Sequence, residues 1–344
     1  MKAQPLPLVS IVTPAYNEER HLAECIESVL AQTYTNWDYT IVNNCSTDGS
    51  LAIAQRYAAR DPRIRVLSND RLMPIIENHN HTIRQISFDS KYCKFVFADD
   101  WLYPSCIDEM VRLAEKNPSV GLVGAYTMDG QSVIWSGPSY PAHRVSGKEI
   151  CRSMLLGGPY VFGPMTSLLV RSDLVRNRAV FFNEDNLHAD TEICFDLLRE
   201  SDYGFVHQVL SLSRQRPQST GSFAADFDSI ELGTFVAFLK YGSFFLKDDE
   251  YRRRWKEARR QYHQVLAHNL LRVRSKDFWE YHEHTLTAFG GRINWWLLTK
   301  LAVSDFFFKA LHPLDAIKRG RRWWSRPRTR PTTEIIPART GRPE

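Results

Sequence analysis

The sequence predicts an α/β fold: a mainly parallel sheet flanked by helices, with a helical C-terminal extension. Three observations carry this expectation. Across the first half, short apolar runs alternate with amphipathic stretches of helical spacing, as repeated strand–helix units do. The polar turns at Pro14, Asn43 and Asp99 each follow such an apolar run, so they collect at one edge of the sheet. Beyond about Phe223 the apolar residues recur at helical spacing to near Leu311.

Taken in order, Leu8 to Thr13 is the first strand, and Pro14-Ala15-Tyr16-Asn17 turns the chain. Glu18 to Gln32 has Leu22, Cys25, Ile26, Val29 and Leu30 at helical spacing and acidic residues in its first turn, where the helix dipole favours them. Tyr39 to Val42 is the second strand, Asn43 to Gly49 a polar turn, and Ser50 to Arg60 the second helix. Arg63 to Leu67, Ile75 to Ile86 and Tyr92 to Phe97 continue as strand, helix and strand. Pro104 to Asn117 is a further amphipathic helix, followed by the short strand Val120 to Val123. The alternation then loosens: Gly130 to Pro141 reads as loop, Ser146 to Leu156 as helix, Ser167 to Val170 as strand, Thr191 to Ser201 as helix and Phe205 to Val209 as strand. These readings divide the chain into an α/β domain over residues 1–222, with halves 1–125 and 126–222. A helical region over 223–312 and a basic tail over 313–344 follow.

The composition, 43% hydrophobic and 24% charged over 344 residues, is that of a globular protein with one large or two modest domains. The net charge of +5 is concentrated, because Lys318-Arg319-Gly320-Arg321-Arg322 and Arg326, Arg328 and Arg330 make the C-terminus strongly basic. The six cysteines are dispersed without a C-x-x-C pair, which argues against a zinc site or a disulfide framework and fits a reducing cytosol. The N-terminus lacks the apolar length of a signal peptide, and no uninterrupted apolar run reaches the ~18 residues of a spanning helix.

The acidic pair Asp99-Asp100 ends the apolar run Phe95-Val96-Phe97-Ala98. At the carboxyl end of a strand, two adjacent carboxylates offer hard oxygen ligands for Mg²⁺ or Mn²⁺ together with a diphosphate. A loop opening that caps the helix after Pro104 is the competing reading.

Other residues enlarge the first reading. Val9-Ser10-Ile11-Val12-Thr13-Pro14-Ala15-Tyr16-Asn17-Glu18-Glu19, Cys25 to Tyr34, Val42-Asn43-Asn44-Cys45-Ser46-Thr47-Asp48-Gly49-Ser50 and Phe97-Ala98-Asp99-Asp100 occur in that order. Over residues 8–222 the chain resembles the family 2 glycosyltransferases, inverting enzymes with the nucleotide-binding GT-A fold. The resemblance implies transfer of a sugar from a nucleotide-sugar, UDP-sugar before others, to a hydroxyl of a glycan or lipid-linked glycan in cell-surface polysaccharide or glycoconjugate synthesis. It implies nucleotide binding by Pro14, Ala15, Tyr16, Asn17, Glu18, Asn44, Ser46, Asn78 and Asp99, and Mn²⁺ or Mg²⁺ held by Asp100 with Asp99.

Within that frame Tyr16 would lie against a pyrimidine ring, unless it packs in the core. Asp190 matches the family's general base, with Glu192 and Asp185 as lesser candidates; as an N-cap of the helix Thr191 to Ser201 it has a second reading. Asp48 caps a helix or touches ligand. Three departures stand out: Asn44 replaces a usual Asp and opens the base identity, and Phe97 replaces a frequent acid. Arg216 stands where relatives often carry His, which suggests a diphosphate clamp.

The C-terminus has rival readings as well. Trp295, Trp296, Phe306, Phe307 and Phe308, with the basic residues through Arg330, suit peripheral contact of residues 293–330 with anionic membrane at its cytoplasmic face. Packing of these aromatics as a helical cap is the alternative, and nucleic acid is not expected as a partner. A dinucleotide-dependent oxidoreductase fails because the first turn has no glycines for a pyrophosphate loop. A non-catalytic nucleotide-sugar-binding scaffold is the alternative to an enzyme.

Overall fold

The computed structural model describes residues 5–129, 132–134, 137–214, 226–270, 272 and 274–311. The chain forms two compact units, residues 1–184 with 188–214, and residues 185–187 with 215–344.

The first unit is built on a ten-stranded sheet. Its opening half comprises β1 (Val9–Ala15), α1 (Leu22–Leu30), β2 (Trp37–Asn43), α2 (Ser50–Ala58), β3 (Ile64–Ser68), α3 (Ile75–Ile83) and β4 (Tyr92–Phe95). All seven residues of β1 are buried, as expected of a central strand covered on both faces. The strands order as β3-β2-β1-β4, all parallel. Pro14 lies beyond the β1–β4 ladder, which ends at Val12 opposite Phe95. Leu22, Cys25, Ile26 and Val29 of α1 join Ile11, Tyr39 and Ile41 in one continuous apolar cluster, which fixes the helix against the sheet.

The second half is mixed, where a mainly parallel sheet is the sequence expectation. It contains β5 (Trp101–Leu102), α4 (Cys106–Lys116), β6 (Val120–Asp129), β7 (Ser132–Ile134), β8 (Arg144–Val145) and α5 (Gly147–Leu155). A 3₁₀ turn (Met165–Ser167), β9 (Leu168–Arg171), α6 (Ser172–Arg176), α7 (Ala189–Leu197) and β10 (Asp202–Leu212) complete it. β9 inserts antiparallel between β4 and β6, and β10 runs parallel to β6. β7 folds back antiparallel on β6 inside the stretch read as loop, and β6 runs six residues past the expected Val123. Apolar content does not encode strand direction, and β5 and β8 are two residues each, too short to show a period.

The second unit contains α8 (Ser229–Phe245), α9 (Asp248–Leu270), α10 (Lys276–Ala288) and α11 (Trp295–Leu311). Its core stacks Phe235 on Tyr262 at 5.0 Å and Phe238 on Tyr251 at 5.2 Å. The Tyr262 hydroxyl and His282 Nδ1 share a 2.7 Å hydrogen bond, His282 Nε2 donates to the Phe227 carbonyl at 2.8 Å, and burial lowers the imidazole pKa to about 4. Asn294 caps α11 by accepting the Leu297 N–H at 2.8 Å. Among the described residues no helix is long and apolar enough to cross a membrane. The six cysteines are free thiols, and all but Cys45 are buried.

Candidate nucleotide and metal site

The loops after β1 and β2 are bonded to each other. Asn17 adopts the left-handed backbone, φ 53°, which Asn tolerates because its side chain can bond locally. Its N–H donates to Ser46 Oγ at 3.1 Å, and its Oδ1 accepts the Thr47 N–H at 2.8 Å. Glu18 N–H donates to Ser50 Oγ at 2.7 Å. Asp48 accepts the N–H groups of Glu19 and Ser50, both at 3.0 Å, and Glu19 accepts that of Gly49 at 2.9 Å. Pro14 and Ala15 are buried at the strand end, whereas Tyr16, the next residue, is exposed and presents its ring at this rim.

Asn44 is turned inward. Its Nδ2 donates to the Met73 carbonyl at 2.9 Å, and its Oδ1 accepts from Met73 N–H at 2.9 Å and Asn69 Nδ2 at 2.8 Å. Asn69 also donates to Asn78 Oδ1 at 2.9 Å, so Asn44, Asn69 and Asn78 form one buried or half-buried amide network. The carbonyl oxygen of Asn44, expected from the resemblance to contact nucleotide, already accepts twice, and the residue ties the 69–73 segment to the end of β2. Asn80 likewise serves the fold, bonding the Phe182 backbone at both its amide atoms.

Phe97 occupies the position of the missing acid as part of an aromatic cluster. His79 and Phe95 pack against it, with His79 and Phe97 centroids 5.5 Å apart, and Phe182 joins the cluster through His79 and Phe95. Burial lowers the His79 imidazole to about 4.

Just past β4, Asp100 is 3% exposed and Asp99 half-buried. Asp100 Oδ2 accepts from Thr166 Oγ1 at 2.5 Å, and Oδ1 accepts the Arg214 N–H at 3.2 Å. Burial and the neighbouring Asp99 charge push the Asp100 carboxyl up to about 7, against the lowering effect of these hydrogen bonds. Arg214 Nε donates to the Asp99 carbonyl at 2.9 Å, and its guanidinium pairs with Glu24. A cleft of about 340 Å³ bordered by Arg214, Glu24, Glu27 and Trp101 lies beside this contact, and none of the residues proposed from sequence lines it.

Among the described residues no group of three or more His, Cys, Asp or Glu side chains stands ready for a metal ion. The acidic pair nonetheless fits a divalent cation. Mg²⁺ and Mn²⁺ take hard oxygens, Mg²⁺ is satisfied by one or two carboxylates plus phosphate oxygens and water, and a buried carboxylate whose ionisation is resisted gains from a cation.

Asp190 is the second residue of α7 rather than the cap before it, because the helix begins at the buried Ala189 and ends at Leu197. Its Oδ1 accepts the Thr191 N–H at 2.7 Å, and Thr191 Oγ1 shares a 2.9 Å hydrogen bond with the Tyr160 hydroxyl. Burial raises the Asp190 carboxyl, opposed by His188 and the Thr191 bond. Glu192, the lesser candidate, is 6% exposed and accepts from Asn183 Nδ2 through both oxygens at 3.1 and 3.2 Å.

Arg216 and the basic tail beyond Leu311 lie outside the described residues. Thr166, Arg214 and Asn69 are contributors that sequence reasoning missed. Arg214 stands two residues before Arg216, whereas no local pattern marks Thr166.

A parallel first half ending in a bonded pair of loops and an acidic pair, joined through an antiparallel strand to a mixed second half, defines the GT-A class of fold. Two solved structures share it. They are Staphylococcus aureus TarS 1–349 in complex with UDP-GlcNAc (TM-score 0.55, 16% identity, 84% of this chain and 93% of that one) and the mannosyltransferase PcManGT from Pyrobaculum calidifontis in complex with GDP-Man and Mn²⁺ (TM-score 0.51, 15% identity, 91% and 83%). The model of glycosyl transferase family 2 matches residues 10–174 of this chain. An uncharacterized glycosyltransferase of Haemophilus influenzae is 29% identical over 199 residues, 54% of this chain and 58% of that protein. A putative glycosyltransferase of Bacillus subtilis, EpsE, is 31% identical over 158 residues, 44% and 56%. The chain thus spans less than two thirds of the length of these curated relatives.

Proposed function

We propose that this protein is an inverting, divalent-metal-dependent glycosyltransferase. It takes a sugar from a nucleotide donor, UDP-sugar before others, and passes it to a hydroxyl of a glycan or lipid-linked glycan in cell-surface polysaccharide synthesis. The observation that carries the reading is Asp99-Asp100 at the carboxyl end of β4, beside β1 whose following turn carries the exposed Tyr16. The ligands seen with the two fold neighbours, UDP-GlcNAc in one and GDP-Man with Mn²⁺ in the other, support a nucleotide-sugar donor and a cation here.

In this reading the Tyr16 ring stacks on the base, and the Asn44–Asn69–Asn78 network holds the wall behind it. Asp100 and Asp99 hold the cation, which when bound neutralises charge on the departing nucleoside diphosphate. Arg216 adds a positive group at that diphosphate. Asp190 accepts the acceptor hydroxyl's proton as that oxygen attacks the anomeric carbon opposite the leaving group. The new C–O bond forms as the sugar–phosphate bond breaks, and the raised carboxyl of Asp190 is the direction a general base working near neutral pH requires.

Attachment at the inner face of a membrane completes the reading. Trp295, Trp296, Val303, Phe306 and Phe307 of α11 are exposed, with Lys300 among them, while Leu298 and Ala302 on the other face are buried. An aromatic helix face followed in sequence by a dense basic segment suits the interface of anionic lipid.

The test is a thermal-shift screen of nucleoside diphosphates and nucleotide sugars with and without Mn²⁺, followed by transfer assays with the donor that binds. The expected result is stabilisation by a uridine or guanosine diphosphate-sugar that Mn²⁺ increases. No stabilisation by any nucleotide, or near-normal transfer by both Asp100→Ala and Asp190→Asn, overturns the reading.

A further inference from the structure

Lys94 is completely buried in β4, five residues before Asp99. An ammonium group enters a protein core at a cost of several kcal/mol unless well bonded, so its partners indicate what it is there for. Lys94 Nζ donates to the carbonyls of Thr166 at 2.5 Å and Leu168 at 3.0 Å, with the Met110 sulfur at 3.8 Å. Its donors therefore go to the main chain that leads from the 3₁₀ turn into β9, and burial lowers its pKa.

Thr166, also completely buried, is the other half of the device. Its hydroxyl has one proton. The Phe97 N–H donates to Oγ1 at 3.1 Å, so the hydroxyl accepts there and gives its proton to Asp100 Oδ2 at 2.5 Å. Lys94 in β4 and Phe97 two residues past its end thus fix Thr166 from two positions, and Thr166 returns a hydrogen bond to the Asp100 carboxylate farther along the same segment. One rotamer of Asp100 results, with Oδ1 held by the Arg214 N–H.

We propose that Lys94 and Thr166 are positioning residues for the cation site, fixing the Asp100 carboxylate through the chain Lys94 Nζ–Thr166 carbonyl and Thr166 Oγ1–Asp100 Oδ2. The proposal rests on the reading of Asp99-Asp100 as the cation-binding pair. Partners that orient a carboxylate ligand are worth roughly 10–100-fold in metal affinity.

The experiment titrates the full chain with Mn²⁺ in the presence of UDP, reading free Mn²⁺ by its EPR signal, and measures UDP affinity without metal alongside. Thr166→Val is expected to weaken Mn²⁺ binding roughly 10–100-fold with metal-free UDP affinity unchanged. Thr166→Ser, which keeps the hydroxyl, restores wild-type binding. Lys94→Met shifts Mn²⁺ binding in the same direction as Thr166→Val, and if that variant does not fold the Thr166 pair decides alone. Wild-type Mn²⁺ affinity in Thr166→Val, while Asp100→Ala loses it, overturns this proposal and leaves the cation site standing. Equal Mn²⁺ binding by wild type and Asp100→Ala overturns both.

Discussion

Two neighbouring stretches of the same sheet rim are finished in opposite ways. The loops after β1 and β2 satisfy one another through Asn17, Ser46, Thr47 and Asp48, and Asn44 is saturated by Met73 and Asn69. Beside them the end of β4 packs two adjacent carboxylates, one almost fully buried, and burial together with the adjacent charge resists ionisation. The first stretch is bonded within itself, save for the buried Asn69 Oδ1, which has no hydrogen-bond partner. The second carries a cost that the proposed cation would relieve, so on that proposal sensitivity to metal is confined to it.

The largest effect that sharpens this contrast is Asp100→Ala, which should lower transfer by roughly 10³-fold or more by removing charge stabilisation worth several kcal/mol, read as kcat/KM with saturating Mn²⁺. Asp190→Asn, which keeps shape and removes the base, should cost roughly 10²–10⁴-fold in kcat with little change in donor affinity. On the neutral side, Asn44→Ala should destabilise the fold by about 1–3 kcal/mol in denaturant melts, since Met73 and Asn69 lose their partners. Tyr16→Ala should instead leave stability unchanged and weaken nucleotide binding by about 1–3 kcal/mol. If Asn44→Ala lowered only nucleotide affinity, the two stretches would not differ as described.

The smallest effect is in pH. Asp100 titrates near 7 in the fold against 3.8 for the free side chain, so the folded state resists an ionisation that the unfolded state does not. Stability therefore falls as pH rises from about 4 to about 7, and below that window both states are protonated. Asp100→Asn should raise the metal-free Tm by a few degrees at pH 8 and leave it unchanged near pH 4. A Tm gain equal at both pH values would remove ionisation as its cause.

The opening strand–helix succession was legible because each element carries its own pattern: β1 is a short, mostly apolar run, and α1 repeats apolar residues at helical spacing. Strand direction in the second half was not legible, because β9 has the same apolar content whether it runs with or against β4. At the site, Asp99-Asp100 announced themselves by contrast with the run before them. Asn44 did not show that it turns inward, since the partners that turn it, Asn69 and Met73, belong to a separate loop. The start of α7 at Ala189 placed Asp190 inside the first turn because Ala enters a helix as readily as it follows a loop.

The partners of Asp100 lie 66 and 114 residues away, whereas those linking Asn17 to Ser46 and Thr47 lie 29 and 30 residues away. Contacts between distant residues close later, because their loop entropy must be offset first. A chain leaving the ribosome can therefore join Asn17 to Ser46 and Thr47 within its first fifty residues. The acidic end of β4 acquires its restraints only after β9 and Arg214 have been synthesised and docked, so metal binding would report that the whole first unit has been assembled.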